Sequence, residues 1–221
     1  MRWLLKPLFS LFVILHVVFA YKPIIFMHGI LSEPQEANTL FQWIKMDHPG
    51  TETFAIDMYN KLDSLVNMME QVDQVGKVMM KFMQQHPEGV NIICFSQGGL
   101  VCRGVLEQNQ HNVDTFISLS SPQAGQFGDT DYIKYIFPHV LRDNVYKIAY
   151  SKDGQNISVG NYWNDPHHQD LYKENSEFLA VLNNDTFNIN SKEYKENFLR
   201  LKRLVMIGGK DDGVITPWQS R

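Results

Sequence analysis

The chain has 221 residues, of which 44% are hydrophobic and 20% are charged, a composition that indicates one globular domain and argues against disorder. Its 24 acidic and 20 basic side chains give a net charge of −4, so no basic excess favours binding to nucleic acid. Two cysteines are too few for a disulfide scaffold, and no stretch after the N-terminus is long and apolar enough to span a bilayer.

Residues 1–20 have the pattern of a secretory signal peptide. Arg2 and Lys6 form a short positive head, residues 8–20 are almost wholly apolar, and small residues occupy the −3 and −1 positions before Tyr21. The alternatives are a buried helix or a membrane anchor, but the run is shorter than the roughly 20 residues needed to span a bilayer. We therefore predict a signal peptide at 1–20 and a mature domain at 21–221.

Two glycosylation sequons follow, Asn156-Ile157-Ser158 and Asn184-Asp185-Thr186. Either could arise by chance, but after a signal peptide we expect Asn156 and Asn184 to carry glycans in exposed loops. The sequence by itself does not separate secretion from delivery to the lysosome.

Short apolar runs alternate with helical patterns along much of the chain. Apolar residues at three- and four-residue spacing predict a helix from Leu62 to Met83 that ends near His86 and Pro87. A second helix is predicted at 97–106. Because strands that alternate with helices form parallel sheets, we predict an α/β fold with right-handed crossovers. The predicted strands lie at 23–27, 53–57, 90–95, 115–119 and 203–207.

Residues 121–199 break this alternation. They are rich in Asp, Asn, Tyr and Lys, with aromatic clusters at 132–137 and 162–163. We predict a cap insertion at about 121–199 rather than a linker, because these aromatic side chains need something to pack against. We also expect the cap aromatics to bury an apolar substrate chain.

Residues 91–99, with the sequence NIICFSQGG, predict a strand joined to a helix by one sharp turn with Ser96 at its apex. Such a turn requires small residues two positions before and after the serine. Gly98 meets this requirement, and Cys94 stands where glycine is more usual. The turn presents the hydroxyl at the edge of the sheet, beside the first amides of the helix. By itself the pattern does not decide between a nucleophile and an ordinary turn.

Two other segments favour a nucleophile. His28-Gly29-Ile30 directly follows the first strand, so the Ile30 amide could pair with that of Gln97 to form an oxyanion hole. Asp212-Gly213-Val214 follows the last strand, where the acid of a Ser–Asp–His triad belongs. An ordinary Asp-Gly turn is the alternative, and the neighbouring Asp211 is a second candidate.

Four segments closely resemble palmitoyl-protein thioesterases, and the similarity runs from about Tyr21 to the last residue. The resemblance implies an α/β-hydrolase fold and lysosomal hydrolysis of long-chain acyl thioesters, with no metal or cofactor. It carries the nucleophile onto Ser96, the triad acid onto Asp212 and the oxyanion donors onto Ile30 and Gln97. The segments are CFSQGGLVCRG, SLSSPQAGQFGDTDY, NYWNDPHHQDLY and IGGKDDGVITPWQS.

The resemblance also implies a disulfide between Cys94 and Cys102, for which two buried free thiols are the alternative. Members of the family commonly pair further cysteines in the cap, at places that match Ala149 and Gly160 here. Both cysteines are absent together, so neither is left without its partner.

The family's triad histidine lies downstream of the Asp-Gly-Val motif, whereas the sequence given ends at Arg221, nine residues after Asp212. We therefore expect the base to lie beyond Arg221, and these 221 residues to be an inactive, truncated form. If His167 or His168 were the base, the triad would follow the chain order Ser–His–Asp instead of the Ser–Asp–His order expected of this fold. We therefore interpret both as surface or substrate-rim residues.

The expected activity is that of a serine thioesterase acting through an acyl-serine intermediate on palmitoyl-CoA or S-palmitoylated substrates. Two alternatives remain open: a non-catalytic lumenal lipid-binding protein of the same fold, and a lipase that hydrolyses oxygen esters.

Overall fold

The computed structural model describes residues 21–128 and 144–221. The predicted signal peptide and the aromatic cluster at 132–137 lie outside these ranges. No helix within the described ranges has the length and apolar character needed to cross a membrane.

A sheet of five parallel strands forms the centre of the described molecule. The strands pair in the order β2-β1-β3-β4-β5, and the register places Phe26 beside Ile93 on β3. All five predicted strands are present, with ends that differ from the prediction by two residues at most. They are β1 (Ile24–Met27), β2 (Thr53–Ala55), β3 (Val90–Phe95), β4 (Val113–Leu119) and β5 (Arg203–Ile207).

Helices cover both faces of this sheet. On one face, α2 (Met68–Gln85) and α3 (Gln97–Gln108) pack against the main core, which includes Ile25 and Ile92. On the other face, α1 (Asn38–Asp47) packs against a smaller cluster that contains Phe26 and Ile93. Successive strand residues point to opposite faces, so each strand contributes to both cores. The sequence pattern did not predict α1.

The predicted start of α2 at Leu62 is wrong, because the helix begins at Met68. The Asn67 side chain caps it by accepting a hydrogen bond of 2.8 Å from the Met69 amide. A 3₁₀ turn at Lys61–Leu65 precedes this cap, and the Leu62 side chain in it is 63% exposed. The apolar spacing therefore continues across a break that the capping asparagine creates.

Short helices follow between β4 and β5. Tyr162, Trp163, Tyr172 and Phe178 in this segment are buried in the main core. The last of the helices, at 191–198, packs against α3. The helices are α4 (Val145–Ala149), α5 (Lys152–Gln155), α6 (Ser158–Asn161), α7 (Gln169–Asn175), α8 (Leu179–Leu182) and α9 (Ser191–Phe198).

Candidate active site

Ser96 forms the turn between β3 and α3 with a backbone φ of +51° and ψ of −127°. An L-amino acid with a side chain rarely adopts this region, so the turn holds Ser96 in a strained conformation. Neighbouring hydrogen bonds fix it there: the Ser96 amide donates to the carbonyl of Leu119, and the Gly99 amide donates to the carbonyl of Ser96. The serine side chain is thereby presented at the carboxyl edge of the sheet.

Glycines let the Ser96 turn approach its neighbours closely. A β-carbon on Gly98 would lie 2.2 Å from the carbonyl oxygen of His28, and one on Gly99 would lie 1.9 Å from the Ser121 hydroxyl. A β-carbon on Gly29 would meet that of Ser96 at 3.0 Å. The loop after β1 therefore packs directly against the start of α3, which the residues QGG after the serine permit.

Cys94 and Cys102 form a disulfide, as the family resemblance implied. Their Cα atoms are 6.7 Å apart, and both side chains are fully buried. The bridge joins the end of β3 to the second turn of α3, so it clamps the two elements that flank Ser96. The described part of the chain contains no free cysteine.

The loop after β1 is held by buried polar contacts. His28 is buried, and its Nδ1 and Nε2 atoms lie 2.8 and 3.0 Å from the carbonyl oxygens of Gly29 and Met58. The Leu31 amide, at a φ of +54°, donates to the Ser64 hydroxyl at 2.8 Å. Both ring nitrogens of His28 thus hold the loop in place. Ser64 holds it as well, and the sequence pattern did not predict this role.

The Gln97 side chain is buried and ties α3 to the same support. Its Nε2 donates to the carbonyl of Ser64 at 2.7 Å, and the side chain of Gln71 on α2 donates to that carbonyl at 2.9 Å. In the described part of the chain, no hydrogen bond uses the backbone amide of Ile30 or of Gln97. Neither amide is therefore used within the described residues, and Ile30 also lines a cavity with Ser96.

Ser96, Ile30 and Asp212 line one cavity of about 330 Å³. Apolar residues make up much of its wall, among them Phe95 and Ile215. The structure thus places three of the four predicted catalytic residues around one cavity. The fourth, Gln97, follows Ser96 in the chain. A larger cavity of about 840 Å³, whose lining includes Phe127 and Thr216, does not include Ser96.

Ser120 also lines the Ser96 cavity, and the sequence analysis missed it. It follows β4 with a φ of +41°, and its amide donates to the carbonyl of Ile207 at the end of β5. The only sequence signal was its position directly after a strand whose carboxyl end faces the same edge as Ser96.

Asp212 is half-buried at the cavity wall, whereas Asp211 is exposed. The Asp212 Oδ1 atom accepts hydrogen bonds from the amides of Val214 and Ile215 at 2.9 and 3.2 Å. Its Oδ2 atom lies 3.4 Å from the Nε atom of Arg221. The loop after β5 therefore fixes the orientation of Asp212 beside the cavity and leaves the Asp211 side chain in solvent, outside the cavity lining.

Within 21–128 and 144–221, no histidine side chain forms a hydrogen bond or ion pair with Ser96 or Asp212. The His168 Nδ1 atom lies 2.8 Å from the carboxylate of Asp165, and its ring stacks on Tyr146 at 3.6 Å. His111 is buried, and burial lowers its pKa from the ordinary 6.5 to about 4. No group of three or more potential metal ligands occurs in these ranges.

Arg103 connects α3 to the segment between β4 and β5. Its Nε donates to the buried Glu107 carboxylate at 2.7 Å, and its other nitrogens donate to Gln123, Asn183 and Leu182. Burial raises the pKa of Glu107, and the Arg103 charge opposes that rise. Arg103 is thus a half-buried residue that links the helix after Ser96 to the short helices.

Ala149 and Gly160, where the family commonly has cysteines, are neighbours in space. A β-carbon on Gly160 would lie 3.2 Å from the Ala149 carbonyl oxygen and 2.1 Å from that of Gly154. The backbone packs so closely around Gly160 that a side chain at this position does not fit.

The chain matches the family model described as palmitoyl protein thioesterase over residues 23–221. It is 50% identical over 91% of its length to lysosomal thioesterase PPT2 of Rattus norvegicus and covers 67% of that protein. It is 49% identical to the Homo sapiens protein of the same name, again over 91% and 67% of the two lengths. The Drosophila melanogaster PPT2 homolog is 47% identical over 92% of this chain and 71% of its own length. The chain thus spans about two thirds of these relatives.

Solved structures with low sequence identity share the fold. The mature form of the Bacillus licheniformis lipase BlEst2 matches 86% of this chain and 66% of its own, with a TM-score of 0.53 and 16% identity. The propeptide form of the same lipase gives a TM-score of 0.57 at 16% identity, over 86% of this chain and 36% of its own. The predicted α/β-hydrolase fold is therefore confirmed.

Proposed function

Since the chain belongs to the palmitoyl protein thioesterase family, we propose that it is a lysosomal serine hydrolase that cleaves long-chain fatty acyl thioesters. The substrates would be palmitoyl-CoA or S-palmitoylated molecules, and residues 1–20 would direct the chain into the secretory pathway. One observation carries the proposal: Ser96, held at a positive φ, shares one apolar cavity with Ile30 and Asp212.

In the first half of the reaction, the Ser96 oxygen attacks the thioester carbonyl carbon and its proton passes to a base. The amides of Ile30 and Gln97 donate to the oxyanion as negative charge develops on it. When the tetrahedral intermediate collapses, the carbon–sulfur bond breaks and the thiolate leaves with its electron pair. Because a thiolate is a good leaving group, this step depends less on an acid than amide cleavage does.

In the second half, water attacks the acyl-Ser96 ester, and the fatty acid is released as the serine regains its proton. The same two amides stabilise the second oxyanion. The apolar wall of the cavity, including Phe95 and Ile215, would receive the first methylenes of the acyl chain, each worth about 0.8 kcal/mol when buried.

Asp212 has the task of orienting the imidazole base. Its carboxylate is held by the Val214 and Ile215 amides beside the Ser96 cavity, which supports this role. None of the described histidine side chains forms a hydrogen bond or ion pair with Asp212 or Ser96, so we assign the base to no described residue.

The test compares palmitoyl-CoA with a matched palmitoyl oxygen ester, using the product of the complete gene expressed in a secretory host. We expect faster hydrolysis of the thioester and no turnover by Ser96→Ala, whose unfolding transition should match that of the unchanged protein. Preferential hydrolysis of the oxygen ester would indicate a lipase. Tight binding of palmitate without hydrolysis of either ester would indicate a lipid-binding protein.

A further inference from the structure

Asn184 borders a cavity of about 560 Å³ that lies away from Ser96. The residue is exposed and adopts a φ of +57° directly after α8, and it is the acceptor position of the sequon that Thr186 completes. The cavity extends from Asn184 along α9. The modifiable amide group therefore belongs to a residue at the cavity wall.

The wall of this cavity combines apolar and polar groups. Tyr194 and Phe198 provide two aromatic rings and Leu199 provides apolar surface, whereas Lys195 and Ser191 provide polar groups. An N-acetylhexosamine likewise has an apolar ring face and edges of hydroxyl and acetamido groups. The mixture of two aromatic rings, apolar surface and a few polar groups thus suits a sugar better than it suits a purely apolar ligand.

We propose that Asn184 carries an N-linked glycan whose first sugars bind in this cavity. The modification transfers an oligosaccharide from a lipid-linked pyrophosphate donor: the Asn184 Nδ2 atom forms the new bond, loses one proton, and the pyrophosphate leaves. Because attachment at the wall makes the later contacts intramolecular, weak contacts suffice to hold the sugars. The inference rests on the secretory route that is part of the proposed function.

The bound sugars would stabilise α9 against local opening. The helix packs against α3, but Asn197 is its single buried residue and Leu199 just after it is 67% exposed, so contacts on the cavity side can add to its protection. Sugars that pack on the parts of Tyr194 and Phe198 that line the cavity would add contacts to those that these side chains make with the core. Asn156 is exposed as well, but it borders none of the cavities described above, so a glycan there should leave α9 unchanged.

The experiment uses two substitutions at one position. Thr186→Ser keeps the sequon, whereas Thr186→Ala destroys it and leaves the Asn184 side chain in place. Both are produced in a secretory host, with Asn156→Gln as the control that removes only the other sequon. Glycopeptide mass spectrometry measures occupancy, and hydrogen–deuterium exchange measures protection of residues 191–198. We expect exchange there to be several-fold faster in Thr186→Ala than in Thr186→Ser, and unaltered in Asn156→Gln.

A Tyr194→Leu variant with the intact sequon distinguishes binding of the sugars in the cavity from glycosylation of Asn184 alone. We expect it to carry the glycan and yet to lose most of the protection that the glycan gives to 191–198. An unmodified Asn184, or equal exchange in the Thr186→Ser and Thr186→Ala proteins, would overturn the proposal. Neither result depends on hydrolysis, so the proposed activity is tested separately.

Discussion

The carbonyl oxygen of His28 lies so close to Gly98 that a β-carbon on the glycine would meet it at 2.2 Å. This contact joins the loop that presents the Ile30 amide to the helix that presents the Gln97 amide. Backbone packing at this glycine therefore helps to position the two candidate oxyanion donors, together with the His28, Ser64 and Gln97 side chains.

Gly98→Ala should destabilise the protein by about 3 kcal/mol or more, because the new methyl group meets fixed backbone atoms. The matched control is Gly76→Ala on α2, where the added β-carbon would lie 3.6 Å from the Val105 side chain. That change should be neutral or stabilise by up to about 1 kcal/mol, since alanine favours a helix interior. Denaturant unfolding measures both variants, and equal stabilities would show that the close approach is not needed.

Asp212→Asn should reduce kcat on palmitoyl-CoA on the order of 10⁴-fold in the complete gene product, because an amide no longer orients the base correctly. Asp211→Asn should change kcat only a few-fold, since the Asp211 side chain is exposed and does not line the Ser96 cavity. Steady-state kinetics compare the two neighbouring variants. Similar losses from both would contradict the choice of Asp212 as the triad acid.

Arg103→Met should destabilise the protein by about 3–5 kcal/mol, because it leaves the Glu107 carboxylate buried without its partner. The exposed pair of Lys77 and Asp73 is the control. Lys77→Ala should lower the free energy of unfolding by less than about 1 kcal/mol. A buried carboxyl with a raised pKa favours the fold when protonated, so the cost of Arg103→Met should shrink as the pH falls. A cost that does not change with pH would show that Glu107 is not the group left unpaired.

His111 should make the fold less stable at acidic pH. Its pKa is lowered from 6.5 to about 4 in the folded state, so the unfolded chain takes up the proton first and stability is lost as the pH falls between these values. Protonation of His111 should therefore make the free energy of unfolding about 2 kcal/mol lower at pH 5 than at pH 8. His111→Asn, whose side chain can still accept from the Val113 amide, should remove this part of the pH dependence, whereas the exposed His167→Asn should not. Unfolding curves at both pH values measure it.

The sequence predicted the strands well because each is a short segment rich in apolar residues. It did not predict α1, because none of the helix's residues is fully buried, and Trp43 and Met46 on its outer side are 62% and 75% exposed. Apolar residues therefore occur on both sides of α1, which obscures the helical period.

In the candidate site, the motif around Ser96 pointed to the correct turn because its requirement for small residues is local. The supports were not predictable in the same way. Ser64 reaches the Leu31 amide across 33 residues, and Arg103 reaches Asn183 across 80. Nothing near either residue in the sequence marks these contacts, since they arise only when distant segments pack together.

The most direct test of the proposed function is to trap the acyl-enzyme. The complete gene product is mixed with palmitoyl-CoA, quenched in acid within the first turnovers, digested and analysed by mass spectrometry. The account predicts a palmitoyl group on the peptide that contains Ser96, and none in the Ser96→Ala protein. Palmitoylation of another residue during turnover, or hydrolysis that persists in Ser96→Ala, would contradict it.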